Sequence, residues 1–172
     1  MGRRKLHGDR TAEVLLETAE RVVEGEGLEA LTVRRVAEDA GTTTRAVYTT
    51  YGSKEGLIIA LGRRAFDYLR DGLEGLPATA DPAADLVDAG VVVFRRLMID
   101  HPSLFRIGVL WGTLPDPQLV AGFRTEQRSA MADLRDRVAR LEAAHALGGR
   151  SVPDATREFH ALCEGLAAME LR

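Results

Sequence analysis

Residues 43 to 54 bring together the groups that can grip a phosphate and read a base edge. Thr43, Thr44 and Thr49 offer hydroxyls, Arg45 a guanidinium, Tyr48 a phenol and Lys54 an ammonium. They lie in the stretch GTTTRAVYTTYGSKEGL, where packing alone has no use for so many small polar side chains. A guanidinium can make bidentate contacts to guanine, threonine methyls can touch thymine methyls, and the amides and hydroxyls of a helix start can hold phosphate. Enzyme chemistry finds no comparable set. The four histidines, at 7, 101, 145 and 160, are scattered, and neither an HExxH pattern nor a glycine-rich phosphate fingerprint occurs. The lone Cys163 excludes an internal disulfide and a cysteine-based zinc site. No catalytic residue, metal site or cofactor is therefore expected.

The elements that position these groups follow from apolar spacing. Ala12, Leu15, Leu16, Ala19, Val22 and Val23 line one face of a helix over residues 11 to 26, which Gly25 and Gly27 stop. Thr32 is suited to cap a short second helix, VRRVAEDA, with Val33, Val36, Ala37 and Ala40 facing inward. Gly41 breaks it. A third short helix starts after Thr43 and runs through Val47 to about Thr50, and Gly52-Ser53 introduces a longer fourth. Leu57, Ile58, Leu61, Ala65, Tyr68 and Leu69 form the stripe of that fourth helix. GLPATADP, residues 75 to 82, reads as a linker. Beyond it, helices are expected at roughly 83–100, 103–112, 116–147 and 154–172, separated by Pro102, by Pro115 and Pro117, and by LGGRSVP. No alternating strand pattern or internal repeat appears, so the expected fold class is all-α.

Two short helices joined through Ala40-Gly41-Thr42-Thr43 form a helix-turn-helix, whose second helix can enter a major groove. The small Ala37 permits close packing across it, and Gly41 can take positive φ cheaply. The exposed face of the second helix is then Thr43, Thr44, Arg45, Tyr48 and Thr49. A blander alternative stands beside this: Thr43 only caps the helix and the other threonines are solvated. Tyr48 weighs against it, because a surface tyrosine there has no packing reason visible in the sequence. The net charge of −3 gives no support to a nucleic-acid partner. Only the first ten residues are clearly basic, so contact with DNA would rest on where charge is placed.

The stretch LEALTVRRVAEDAGTTTRAVYTTYGSKEGLIIAL resembles the DNA-binding region of TetR-family transcriptional regulators. The shared pattern is Thr32-Val33, Val36-Ala37, Ala40-Gly41, Val47-Tyr48, the aromatic Tyr51, and Ser53-Lys54-Glu55 before Leu57. The resemblance spans about residues 10 to 62. It implies that Tyr48 and Lys54 clamp phosphates, that Thr32 and Arg34 touch the backbone beside the second helix, and that Thr43, Thr44, Arg45 and Thr49 read the groove. Tyr51 would be core. The sequence departs from the family at Thr42, where an aliphatic residue is usual, at Gly52, where proline is common, and at Arg45, where a small residue or proline is frequent. These departures bear on which bases are read. Arg3, Arg4 and Lys5 would form a basic arm reaching DNA, or equally an unstructured tail.

The resemblance implies two domains: a DNA-binding domain over residues 8–68, with its helix-turn-helix at about 32–51, and a helical effector-binding and dimerisation domain over 75–172. In EFHALCEGLAAMELR, one face holds Phe159, Leu162, Cys163, Leu166 and Met169, and a small-residue ridge holds Ala161, Gly165 and Ala168. Phe94, Met98, Phe105, Trp111, Phe123 and His160 are candidate effector-pocket residues, although aromatic and methionine side chains at helical spacing are more often core. His101 reads as a helix-end residue, and Cys163 as a small hydrophobe or an oxidant-accessible thiol. The expected protein is a cytoplasmic homodimeric repressor, released from a palindromic operator in double-stranded DNA by a small-molecule effector. It would have no membrane partner. An all-α protein–protein adaptor is the alternative, and the motif at residues 32 to 57 argues against it.

Overall fold

The computed structural model describes residues 2–110 and 117–171, and no strand occurs among them. Helix α1 spans Gly2–Glu26, a 3-10 turn follows at Leu28–Ala30, and α2, α3 and α4 span Val33–Asp39, Thr44–Tyr51 and Lys54–Gly75. Then come α5 at Pro82–Asp88, a π-helix at Ala89–Phe94, and α6 at Arg95–Asp100. Helices α7 at Pro102–Leu110, α8 at Pro117–Ala143 and α9 at Val152–Glu170 complete the order. The chain divides into two compact units, Met1–Arg64 and Ala65–Arg172, with the boundary inside α4. No described helix is long and apolar enough to cross a membrane.

In the first unit, α1 contributes Leu15, Ala19, Val22 and Val23 to the core. Thr18 is buried among them, its hydroxyl accepting a bond from Arg21 at 3.0 Å. Helix α1 begins at Gly2, upstream of the expected start, because no proline interrupts it. Arg3, Arg4 and Lys5 therefore belong to its opening turns, and the expectation of a separate arm or tail is corrected. Arg64 of α4 reaches back to α1, bonding Glu13 and Glu20, the latter at 3.0 Å.

The second unit departs from its sequence reading in three places. Tyr68 is exposed instead of lying in the core stripe, because its ring stacks on His101, with centroids 4.4 Å apart, and Phe66 takes the buried position. The segment expected as one helix over 83–100 is interrupted by the π-helix, where Gly90 is followed by three β-branched valines. A side chain at Gly90 would meet the Phe159 ring at 3.3 Å. Helix α8 ends at Ala143, not 147, because His145 takes a left-handed φ of 55° and Ala146 N–H closes on the Leu141 carbonyl at 2.8 Å.

The segment at 75–82 is a clasp as well as a linker. Arg137 of α8 donates to the carbonyls of Leu73 and Leu76 at 2.6 and 2.7 Å, satisfying acceptors that the end of α4 leaves open. Asp85, buried in the first turn of α5, accepts from the Thr79 hydroxyl at 2.6 Å and the Thr79 amide at 2.9 Å, and pairs with Arg140. Val138, Leu141 and Leu147 pack with Leu86 and Val152 beneath this network. The Thr79 hydroxyl, then Arg140, holds the Asp85 carboxyl at about 2 against the opposing effect of burial. A depressed folded-state pKa stabilises the fold above the unfolded value near 4, and that contribution fades as pH falls towards about 2. Asp85→Asn should therefore lower the urea midpoint at pH 5, and the gap from wild type should narrow steadily down to pH 2. A gap that stays constant across this range would show that the ionised carboxylate contributes nothing.

Candidate nucleic-acid interface

The helix-turn-helix is assembled by local hydrogen bonds. Thr32 caps α2, its hydroxyl accepting from Arg35 N–H at 3.1 Å, and Thr43 caps α3 by accepting from Ala46 N–H at 3.3 Å. Between them Gly41 takes φ 65°, and Thr42 N–H donates to the Ala37 carbonyl at 2.9 Å. Val36, Ala37 and Val47 are buried where α2 meets α3. Gly52, at φ 78°, ends α3 in place of the proline common in the family, and its N–H bonds the Tyr48 carbonyl.

Tyr51 fixes the far end of α3. It is half-buried, and its hydroxyl donates to the Ala12 carbonyl of α1 at 2.6 Å. Burial pushes its pKa up to about 12, so the phenol stays protonated and remains a donor. Gly56 is a structural residue that the sequence reading passed over. A Cβ there would lie 1.9 Å from the Tyr51 carbonyl oxygen, so the first turn of α4 fits against the end of α3 only with glycine. A glycine inside a helix start was the available signal.

With α3 held in this way, Thr43, Thr44, Arg45, Tyr48 and Thr49 are all exposed, Tyr48 at 55%. Thr44, Arg45, Tyr48 and Thr49 share one face, opposite Val47. Thr43 uses its hydroxyl oxygen as the cap, so the blander reading is right about that atom, while its O–H can still donate. Thr50, also exposed, turns its hydroxyl back to the Ala46 carbonyl at 2.8 Å. Thr32 is exposed beside α2, and Lys54 is partly exposed at the first residue of α4. Arg34 is exposed but paired with Glu38 at 2.8 Å, and Arg35 pairs with Asp39 and Glu26. Such surface pairs are worth about 0–1 kcal/mol, so the Glu38 contact holds Arg34 only weakly.

The effector candidates separate. Phe94, Met98 and Phe123 are buried core residues, and Phe94 packs edge-on against both Phe159 and His160. Phe94, Phe105 and His160 border one cavity of about 20 Å³, while Met98 and Phe123 do not. Trp111 lies outside the described residues. Cys163 is half-buried, and its thiol is pushed up to about 11, first by burial and then by Glu164, which keeps it protonated and poorly reactive. Among the described residues, no cluster of metal-ligating side chains occurs.

A capped pair of short helices with one polar, outward-facing second helix defines a helix-turn-helix DNA-binding protein. Residues 15–61 match the family model for bacterial regulatory proteins of the tetR family. Residues 15–61 therefore carry the DNA-binding region of the TetR family, whose members are ligand-responsive DNA-binding transcriptional regulators. The fold is similar to that of PfmR from Thermus thermophilus, a TetR family transcriptional regulator, at 21% identity and TM-score 0.71 over 90% of this chain and 84% of that one. It is also similar to the transcriptional regulator FadR from Bacillus subtilis in complex with stearoyl-CoA, at 14% identity and TM-score 0.78, covering 92% and 86%. GusR from Salmonella enterica gives 17% identity and TM-score 0.73, covering 92% and 82%. Comparison with curated proteins finds no match.

The Gly56 contact gives a test whose sign is informative. Helix propensity alone favours alanine over glycine by about 1 kcal/mol. A Cβ driven into backbone instead costs about 1–3 kcal/mol or more. Gly56→Ala should therefore destabilise the chain in urea denaturation, and a stabilised variant would show that α3 and α4 do not approach as described.

Proposed function

We propose that this regulator is a homodimeric repressor acting on cytoplasmic DNA, bound to a palindromic operator and released by a small-molecule effector. Its DNA-binding domain spans residues 8–68 and its effector and dimer domain spans 75–172. Arg45, Thr44 and Thr49 read bases, Tyr48 and Lys54 hold phosphates, and Thr32, Thr43 and Arg34 steady the backbone alongside. The single observation that carries this reading is the α3 surface. Among the described residues, Thr44, Arg45, Tyr48 and Thr49 make no side-chain hydrogen bond within the chain, which leaves that face available to a partner.

Selection of bound sequences from random duplex DNA should return a palindrome, with half-sites about 34–36 Å apart or a multiple of that spacing. On that site, Arg45→Ala should lose about 1–3 kcal/mol only where the preferred base is present. Lys54→Ala and Tyr48→Phe should weaken all sequences alike, and Lys54→Ala should reduce the salt slope by about one. A uniform loss in Arg45→Ala would reduce that residue to a backbone contact, and an unchanged slope would remove Lys54 from the interface.

The dimer surface is assigned to α9. Leu162, Leu166 and Met169 are 58%, 55% and 72% exposed, and Ala161, Gly165 and Ala168 are exposed beside them. A second copy packed on the same ridge around a two-fold axis would remove this apolar face from water. Effector binding would then favour a dimer geometry in which the two α3 helices no longer match successive grooves. Gly165→Glu should give helical monomers that fail to hold the operator, as read by sedimentation at micromolar concentration. A dimeric variant would place the contact elsewhere.

A further inference from the structure

Helix α1 packs against the helix-turn-helix, and a concavity of about 200 Å³ lies where it meets the turn. Arg10, Thr11, Val14 and Leu15 of α1 line it on one side, and Ala40 and Thr42 line it on the other. Leu15 is fully buried, whereas Arg10 and Val14 are exposed and Thr42 is partly so. No carboxylate lines the concavity. On the elements that meet there, Glu13 pairs with Arg64, Glu38 with Arg34 and Asp39 with Arg35.

Two of the lining side chains have donors to spare. The Thr42 backbone N–H closes the turn on the Ala37 carbonyl at 2.9 Å, which takes no part of its hydroxyl. Among the described residues, neither the Thr42 hydroxyl nor the Arg10 guanidinium makes a side-chain hydrogen bond or an ion pair. An aliphatic residue, usual in the family at position 42, would give this place apolar surface alone. Threonine has nearly the shape of valine and adds a hydroxyl that can donate. Thr42 also precedes Thr44 by two residues, about 7 Å along even a fully extended chain. A duplex that touches Thr44 and Arg45 therefore passes beside Thr42, and Arg10 brings a guanidinium from α1 to the same place.

We propose that Arg10 and Thr42 form a phosphate clasp beside α3, the guanidinium and the hydroxyl both donating to one backbone phosphate of the duplex. The clasp rests on the DNA-binding reading above. It adds a contact from α1, and it gives a use to a residue that departs from the family pattern. Arginine-to-phosphate bonds are charge-assisted, and the planar guanidinium can serve two phosphate oxygens at once. A contact of this kind fixes the position of the protein on the duplex and carries no base preference.

The test replaces one phosphate at a time in the selected operator by an uncharged methylphosphonate and measures affinity for the full chain. Among the positions that weaken wild-type binding, one in each half-site should lose its penalty in Arg10→Gln, while the others keep theirs. Arg10→Gln should also weaken all sequences alike, by roughly tenfold, and lower the salt slope by about one. Arg10→Lys should keep the slope, because the charge remains. Thr42→Val should weaken binding by about threefold with the slope unchanged, and this effect should shrink on the operator modified at the clasped position. An unchanged slope in Arg10→Gln, a penalty pattern identical to that of wild type, or undiminished binding by Thr42→Val would overturn the clasp. Should Arg10→Gln lose its helical circular dichroism, Arg10→Met, another good helix former, is read in the same way. Wild type that holds no duplex at any salt concentration would refute the DNA-binding reading and the clasp together. Wild type that holds its operator, with the slope kept in Arg10→Gln, would refute the clasp alone.

Discussion

Helix α3 must present nearly all of its surface outward and still be held in one orientation. Its buried residue is Val47, and burying one such side chain returns about 1.5–3 kcal/mol, while ordering each residue of backbone costs about 1–2 kcal/mol. Packing across its own face cannot hold an eight-residue helix on those terms. The helix is secured at its ends instead. Thr43 caps the start, Gly52 allows the reversal into α4, Gly56 lets α4 close against the last turn, and the Tyr51 phenol anchors that turn to Ala12. These contacts leave Thr44, Arg45, Tyr48 and Thr49 unobstructed, so the available face follows from where the supports were placed.

The second unit holds a chain reversal by different means. The segment between α4 and α5 is fastened by side chains of α8, with Arg137 on the carbonyls at the end of α4 and Arg140 on Asp85. A planar guanidinium can serve two carbonyls at once, which an ammonium on a flexible stem does less well. Through Arg137, α8 is tied to Leu73 in the last turn of α4 and to Leu76 just beyond it.

Local features of this fold were legible in the sequence. Thr32 and Thr43 act on amides three residues away, so their capping could be read from the chain alone, and the turn at Gly41 likewise. Apolar periodicity correctly gave the buried positions Leu15, Val22, Val36, Leu57 and Leu61. Periodicity reports which face is apolar but not what lies against it. Tyr68 belongs to the α4 stripe by spacing, yet it is exposed and stacks on His101. The Asp85–Arg140 and Arg137–Leu73 contacts join residues far apart in sequence, with no local pattern to announce them. The aromatic candidates divided for the same reason: Phe94, Phe105 and His160 share a cavity, whereas Met98 and Phe123 fill the core.

A net charge of −3 argues against DNA only if charge acts as a sum. On the first unit five carboxylates share three arginines: Glu38 pairs with Arg34, Asp39 and Glu26 with Arg35, and Glu13 and Glu20 with Arg64. These pairs add little stability where they are exposed, so stability does not explain them. Their effect on the field is larger. Each arginine offsets part of the negative charge beside it, and salt screens what remains beyond about 8–10 Å. Helix α3 itself carries Arg45 and no acidic residue, and Lys54 opens the next helix. The face of α3 is therefore free of acidic side chains on an acidic chain, and the nearby Glu38, Asp39, Glu26, Glu13 and Glu20 are each held in ion pairs.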